Sequence, residues 1–128
     1  MSAKRILIVD DDKDIVHMLA GVLRKAGYEP IAALDALQGV TRANRDLPDA
    51  ILLDLVMPAG GGFSVIERLK NSVRTSTIPI IVLTGSIEPG VEKKAQELGA
   101  QGFFHKPYDV VAVLECIKQT LGEGVQAG

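Results

Sequence analysis

Ile6-Leu7-Ile8-Val9-Asp10-Asp11-Asp12 is the stretch on which the fold turns. Four apolar residues follow one another without polar alternation. A strand needs that pattern when helices cover both faces of its sheet, and such strands belong to parallel sheets. The run stops at three carboxylates, so its charge gathers at its carboxyl end. The same grammar recurs downstream. Ile15, Leu19, Val22 and Leu23 fall at helical spacing, and Gly27 ends that segment in the manner of a C-cap. Pro30 to Ala33 reads as a weaker second strand, and Leu37, Val40 and Ala43 as a helix closed before Pro48. Ala50 to Leu53 is a third buried strand, followed by a helix carrying Phe63, Ile66 and Leu69. Ile78 to Leu83 holds a fourth strand, with Pro79 near its start, where proline is tolerated. Val91, Ala95 and Leu98 mark a helix ended by Gly99. Gly102 to His105 is a short fifth strand, and Val111, Leu114, Ile117 and Leu121 complete a fifth helix. Five strand–helix pairs predict an α/β, doubly wound, five-stranded parallel sheet with helices on both faces.

The bulk numbers fit one domain of 128 residues. Apolar residues make up 47%, so disorder is excluded, and with aromatics at 4% the core must be built from Val, Ile, Leu and Ala. A net charge of −2 gives no electrostatic reason to expect nucleic acid or membrane as a partner. The single cysteine, Cys116, excludes an internal disulfide and a cysteine-built zinc site. It reads as a small apolar side chain on a helix. The apolar run after the basic start is too short for a signal peptide, and no stretch approaches the roughly 20 apolar residues of a membrane span. The expected location is cytoplasmic. Residues 1–121 read as the domain, and 122–128, which lack periodicity, as a flexible tail or the start of a linker.

In a doubly wound sheet, ligands bind beyond the carboxyl ends of the strands. Strand one ends in Asp10-Asp11-Asp12, strand three in Asp54, strand four in Thr84-Gly85, and strand five at His105 before Lys106-Pro107. Asp12 suits an N-cap and Asp14 a first helical turn, but neither role requires Asp10 or Asp11. Carboxylates converging on Asp54 repel one another by about 4 kcal/mol per close pair at about 4 Å and an effective dielectric near 20. A marginally stable fold keeps such a cluster only with a compensating cation, and oxygen donors favour magnesium over zinc or copper. A carboxylate beside bound magnesium can act as a nucleophile on phosphorus, giving an aspartyl phosphate. Taken alone, Asp54 is more commonly an ordinary turn carboxylate, and Lys106 a solvated surface charge; closeness to the acid pair is what changes the reading of Asp54. Lys106 placed before Pro107 is biased toward an extended or turn conformation, which aims its ammonium at the acids. Thr84 offers a hydroxyl to phosphoryl oxygens or, alternatively, to local backbone. Gly85 removes a side chain that would block access.

Ile6-Leu7-Ile8-Val9-Asp10-Asp11, Leu52-Leu53-Asp54-Leu55, Met57-Pro58, Thr84-Gly85 and Lys106-Pro107 together resemble the receiver domain of two-component response regulators, from about Ile6 to Leu121. No single motif is specific; their order and spacing are. The resemblance implies a flavodoxin-like sheet of strand order 2-1-3-4-5. It implies that Asp54 is the phosphoacceptor, that Asp10 and Asp11 hold Mg2+ with Asp54, and that the Val56 carbonyl is a further ligand. Thr84 and Lys106 would bind and stabilise the phosphoryl group. Phe103 falls at the aromatic position that turns inward on activation, although a plain core aromatic is an equal reading. Val56, Gly85 and Ser86 would border access to the phosphoryl site. The implied partners are a histidine kinase or histidine phosphotransfer protein, and a downstream output protein or fused output domain. The surface formed by the fourth helix, fifth strand and fifth helix would switch. One departure is Ala59-Gly60-Gly61-Gly62, where many relatives carry an aspartate at Gly61. It leaves the start of the third helix in doubt and predicts a mobile loop.

Two other classes compete. A pseudo-receiver would keep the fold as a phosphorylation-independent binding module, and a flavodoxin-like carrier would hold flavin. Two tyrosines and no tryptophan leave little for flavin stacking. No G-x-x-x-x-G-K-[ST] motif occurs, so a nucleotide P-loop is unsupported. His17 and His105 read as structural or surface residues. The cognate kinase, the output, the phosphate lifetime and the oligomeric state are not written in the sequence.

Overall fold

The structure is a computed structural model, and it describes residues 3–57 and 61–123. The strands are β1 (Arg5–Val9), β2 (Glu29–Ala33), β3 (Ala50–Leu53), β4 (Ile80–Thr84) and β5 (Gly102–His105). The helices are α1 (Lys13–Lys25), α2 (Ala36–Asp46), α3 (Gly61–Lys70), α4 (Val91–Leu98) and α5 (Val110–Thr120). The strands form one sheet in the order β2-β1-β3-β4-β5, and every pairing is parallel.

The unbroken apolar runs have a direct cause. Along β1, β3 and β4, Leu7, Val9, Ile51, Leu53, Ile80 and Val82 enter one core with α2, α3 and α4. Their neighbours Ile6, Ile8, Ala50, Leu52, Ile81 and Leu83 enter a second core with α1 and α5. Successive side chains point to opposite faces, so covering both faces leaves no position for a polar residue. The largest side chains without exposure are all Ile and Leu, as the scarcity of aromatics requires.

The helix limits follow local chemistry. Asp12, Asp35 and Asp109 cap α1, α2 and α5 with their carboxylates, which accept from backbone N–H groups of the first turn. α1 is capped at its end by Ala26, one residue before Gly27. α4 closes on Gly99 at φ +115°, which favours glycine. Two helical faces depart from the sequence expectation. Leu37 of α2 and Val111 of α5 are exposed, while the expected Ala43 and Ile117 are buried and are joined in the core by Gly39 and Val113. In α1 the buried set is Val16, Leu19, Ala20 and Leu23, so Ile15 and Val22 lie at its margins. Ile78 and Pro79 precede β4 rather than forming its start.

The glycine-rich loop lies partly outside the described residues, at Ala59 and Gly60. α3 begins at Gly61, and the Gly62 amide donates to the Leu55 carbonyl at 3.1 Å. A Cβ on Gly62 would sit 2.6 Å from the Asp54 carbonyl oxygen and 2.7 Å from Leu55 Cα. This glycine lets α3 start directly against the chain leaving β3. Of the expected tail, 124–128 lies outside the described residues; Glu123 is within them and accepts a hydrogen bond from the Tyr28 hydroxyl at 2.7 Å. Among the described residues no helix is long and apolar enough to cross a membrane.

Candidate functional site

The parallel ladder continues one residue past the strands. The Asp10 amide donates to Ala33, the Asp54 amide to Val9 and the Lys106 amide to Thr84, at 2.8–3.1 Å. These bonds seat Asp10, Asp54 and Lys106 side by side on the carboxyl edge. Strand order reverses there, between β1 and β3, where a crevice opens in this class of sheet.

Asp10 and Asp54 are buried and Asp11 is exposed. One carboxylate oxygen from each of the three lies within 4.8 Å of the others. Lys106 Nζ stands 3.2 Å from Asp10 Oδ2 and 3.5 Å from Asp54 Oδ2. The other Asp54 oxygen, Oδ1, accepts from the Val56 amide at 3.0 Å. Burial raises the pKa of Asp54, and the Asp10 charge adds to that, against the lowering effects of the Val56 amide and Lys106. Burial works against the Lys106 ammonium, but Asp10 and Asp54 outweigh it and hold its pKa above the usual lysine value. The Lys106–Pro107 peptide bond is cis.

Three oxygen donors converging on an open cleft suit a hard divalent cation, and the set contains no sulfur or imidazole to favour zinc or copper. Asp10, Asp11 and Asp54 therefore fit Mg2+. The cleft has a volume of about 570 Å³. It is lined by the expected Asp10, Asp11, Asp54, Val56, Gly85, Ser86 and Lys106, and also by Asp12, Ile87 and Glu88. Sequence reasoning passed over Glu88 and Ile87, and the one available signal was their closeness to the end of β4. It also passed over Tyr108, whose phenol is pushed up in pKa by burial first, with Asp10 and Asp54 adding to the effect against Lys106.

Thr84 is fully buried, and its hydroxyl accepts from the Ser86 amide at 3.2 Å. Of its two readings, the local backbone bond is the one made in this arrangement. Phe103 is half-buried against the α2–α4 core and meets His105 edge-on, with ring centroids 5.0 Å apart. A Cβ on Gly85 would lie 3.9 Å from Lys106 Cδ, ordinary contact, so access does not depend on glycine there. His17 and His105 are exposed, and Cys116 is a half-buried helix residue.

The molecule is a flavodoxin-like α/β domain whose acid-rich carboxyl edge gathers three carboxylates, two of them paired with one half-buried lysine. Residues 6–118 match the response regulator receiver domain family, and the chain belongs to it. The chain is 34% identical over 119 residues to the phosphate regulon transcriptional regulatory protein PhoB of Escherichia coli, a match covering 93% of this chain and 52% of PhoB. It thus spans about half the length of that relative. It is 33% identical over 117 residues to PilH of Pseudomonas aeruginosa, covering 91% of this chain and 97% of PilH. In structure it is similar to the Vibrio cholerae chemotaxis protein CheY4, with a TM-score of 0.86 at 28% identity, over 94% of this chain and 100% of the other. This family membership displaces the flavin-carrier reading and does not favour the pseudo-receiver.

Proposed function

We propose that Asp54 accepts a phosphoryl group from a phosphohistidine on a histidine kinase or histidine phosphotransfer protein. The observation that carries this is Asp54 at the end of β3, buried between Asp10 and Lys106 in an open cleft. Asp10, Asp11 and Asp54 would hold Mg2+, with the Val56 carbonyl as a further ligand. The cation supplies charge neutralisation on the phosphoryl oxygens. An Asp54 carboxylate oxygen attacks phosphorus, the P–N bond to the donor imidazole breaks, and the bonding pair leaves with that nitrogen. The product on this chain is a mixed anhydride. Lys106, already paired with Asp54, follows the charge onto the new group.

Thr84 then exchanges its bond to the Ser86 amide for a phosphoryl oxygen, and Phe103 packs into the space released. The α4-β5-α5 surface changes, and an output protein or fused output domain that prefers one surface shifts the population. Val56, Gly85 and Ser86 border the approach of hydrolytic water. The chain acts as a phosphoacceptor that promotes its own phosphotransfer and dephosphorylation rather than as an enzyme on a separate substrate. Incubation with acetyl phosphate and Mg2+, followed by intact mass spectrometry, tests the reading. The wild type gains one phosphoryl mass and Asp54→Asn gains none. Equal labelling of both places the phosphoryl group elsewhere and refutes Asp54 as acceptor, and labelling of neither by a small donor or a kinase leaves the pseudo-receiver.

A further inference from the structure

Glu88 stands in the β4–α4 loop, outside every role assigned above, yet it lines the same cleft as Asp54. Two short turns fix the loop there. The Ser86 amide donates to the Thr84 hydroxyl oxygen at 3.2 Å, and the Glu88 amide donates to the Ser86 hydroxyl oxygen at 3.4 Å. The Glu88 carbonyl in turn accepts from the Val91 amide, where α4 begins. Its position is therefore tied to the buried Thr84 on one side and to a helix on the other. Among the described residues the cleft carries five carboxylates, Asp10, Asp11, Asp12, Asp54 and Glu88, against the single ammonium of Lys106. Asp10, Asp11 and Asp54 are taken by the proposed metal site, and Asp12 by the α1 cap. Glu88 is the one carboxylate whose charge has no such partner in the roles assigned above. Clefts lined by one sign of charge focus the field, raise the local concentration of opposite ions and lower that of like ions.

We propose that Glu88 sets the charge selectivity of the cleft: it draws in the divalent cation and holds back small anionic phosphodonors, so that transfer favours a donor delivered on a cation-bearing protein surface. This rests on Asp54 being the phosphoacceptor for its donor half only. The cation half stands on the cleft's own charges. A structural disturbance would weaken both binding events together, whereas a charge effect moves them in opposite directions.

The test measures Mg2+ affinity by calorimetry, and the rate of labelling by acetyl phosphate at saturating Mg2+, in E88Q, E88K and the control E97Q, which removes the same charge from an exposed position of α4 outside the cleft. At low salt, E88Q weakens Mg2+ binding by about two- to fourfold and speeds acetyl phosphate labelling by a similar factor, and E88K by about five- to tenfold. Both effects shrink toward the wild-type values at about 1 M salt, where the Debye length falls to about 3 Å, while E97Q leaves both within error. Changes of the same sign in both measurements, effects that persist at high salt, or unaltered Mg2+ affinity in E88K overturn the proposal. A wild type that no donor labels would instead defeat the reading of Asp54, and the Mg2+ titration would still decide on Glu88.

Discussion

Replacing Lys106 with methionine keeps most of the side chain's stem and removes its charge. The ammonium lies 3.2 Å from Asp10 and 3.5 Å from Asp54, so each gross attraction is about 5 kcal/mol at an effective dielectric near 20. Burial of the three groups offsets most of that. Removing one partner of a fully buried pair costs about 3–5 kcal/mol, chiefly because an unpaired charge is left behind. The Lys106 side chain is 23% exposed, which puts the expected loss at about 2–3 kcal/mol without metal. Mg2+ supplies the missing cation. The variant's carboxylates no longer share an ammonium, so it binds the ion more tightly than the wild type does. At a concentration 100 times its Kd, a ligand adds about 2.7 kcal/mol to stability. Urea unfolding with and without Mg2+ should show the gap between K106M and wild type closing by at least half when the metal is present. A double cycle with Asp10→Asn should give a coupling of at least about 1 kcal/mol. A gap unaltered by Mg2+, or no coupling with Asp10, would mean that the loss comes from stem packing and not from charge.

Three further outcomes follow from the same geometry. Mg2+ affinity should fall as pH drops through the raised pKa of Asp54, because the cation binds only the carboxylate. In the absence of metal the sign for stability is the reverse. The folded state holds the Asp54 proton more tightly than the unfolded chain, so stability declines as pH rises from the ordinary aspartate range through the raised value, and Asp54→Asn removes that slope. Paired calorimetry and urea titrations across pH check both signs. Gly62→Ala should cost about 1–3 kcal/mol in urea unfolding, because its Cβ would meet backbone atoms at 2.6 and 2.7 Å that cannot turn aside. Wild-type stability would show that α3 shifts freely. Val56→Asn and Ser86→Glu should each change the lifetime of the phosphorylated form by about three- to tenfold, since both positions line the cleft that holds Asp54 and border the proposed approach of water. Decay followed by mass spectrometry tests this, and unaltered lifetimes in both discard the assignment.

The sequence made the sheet legible because each strand is bounded by something chemical. β3 stops at Asp54, β5 lies between Gly102 and His105 before Lys106-Pro107, and α4 closes on Gly99. The faces of α2 and α5 were harder to read. Hydropathy selects the bulkiest residues, Leu37 and Val111, but α2 lies so close to β1 that a Cβ on Gly39 would come 2.9 Å from Val9 Cγ1. In α2 close packing puts Gly39 and Ala43 at the contact and turns Leu37 out, whereas in α5 it is Val113 and not the chemically identical Val111 that faces the core, a choice composition does not make. The same contrast holds in the cleft. Asp10, Asp54 and Lys106 each follow a strand directly, so the ladder carries them to the edge. Ile87 and Glu88 sit three and four residues beyond β4, where only the path of the folded loop decides what they face.

Thr84 is a different case, because its composition and position specify two arrangements. Its hydroxyl accepts from the Ser86 amide, a neutral bond, and the proposed alternative is a bond donated to a phosphoryl oxygen. Charge-assisted bonds are roughly twice as strong as neutral ones, so the exchange is downhill only once the anion is present. Before that, leaving Ser86 would strand a buried hydroxyl at a cost of about 1–3 kcal/mol. Under the proposed function, Thr84 reads ambiguously in the sequence for a physical reason: the choice between its two partners would belong to the charge on Asp54, which the sequence around Thr84 does not carry.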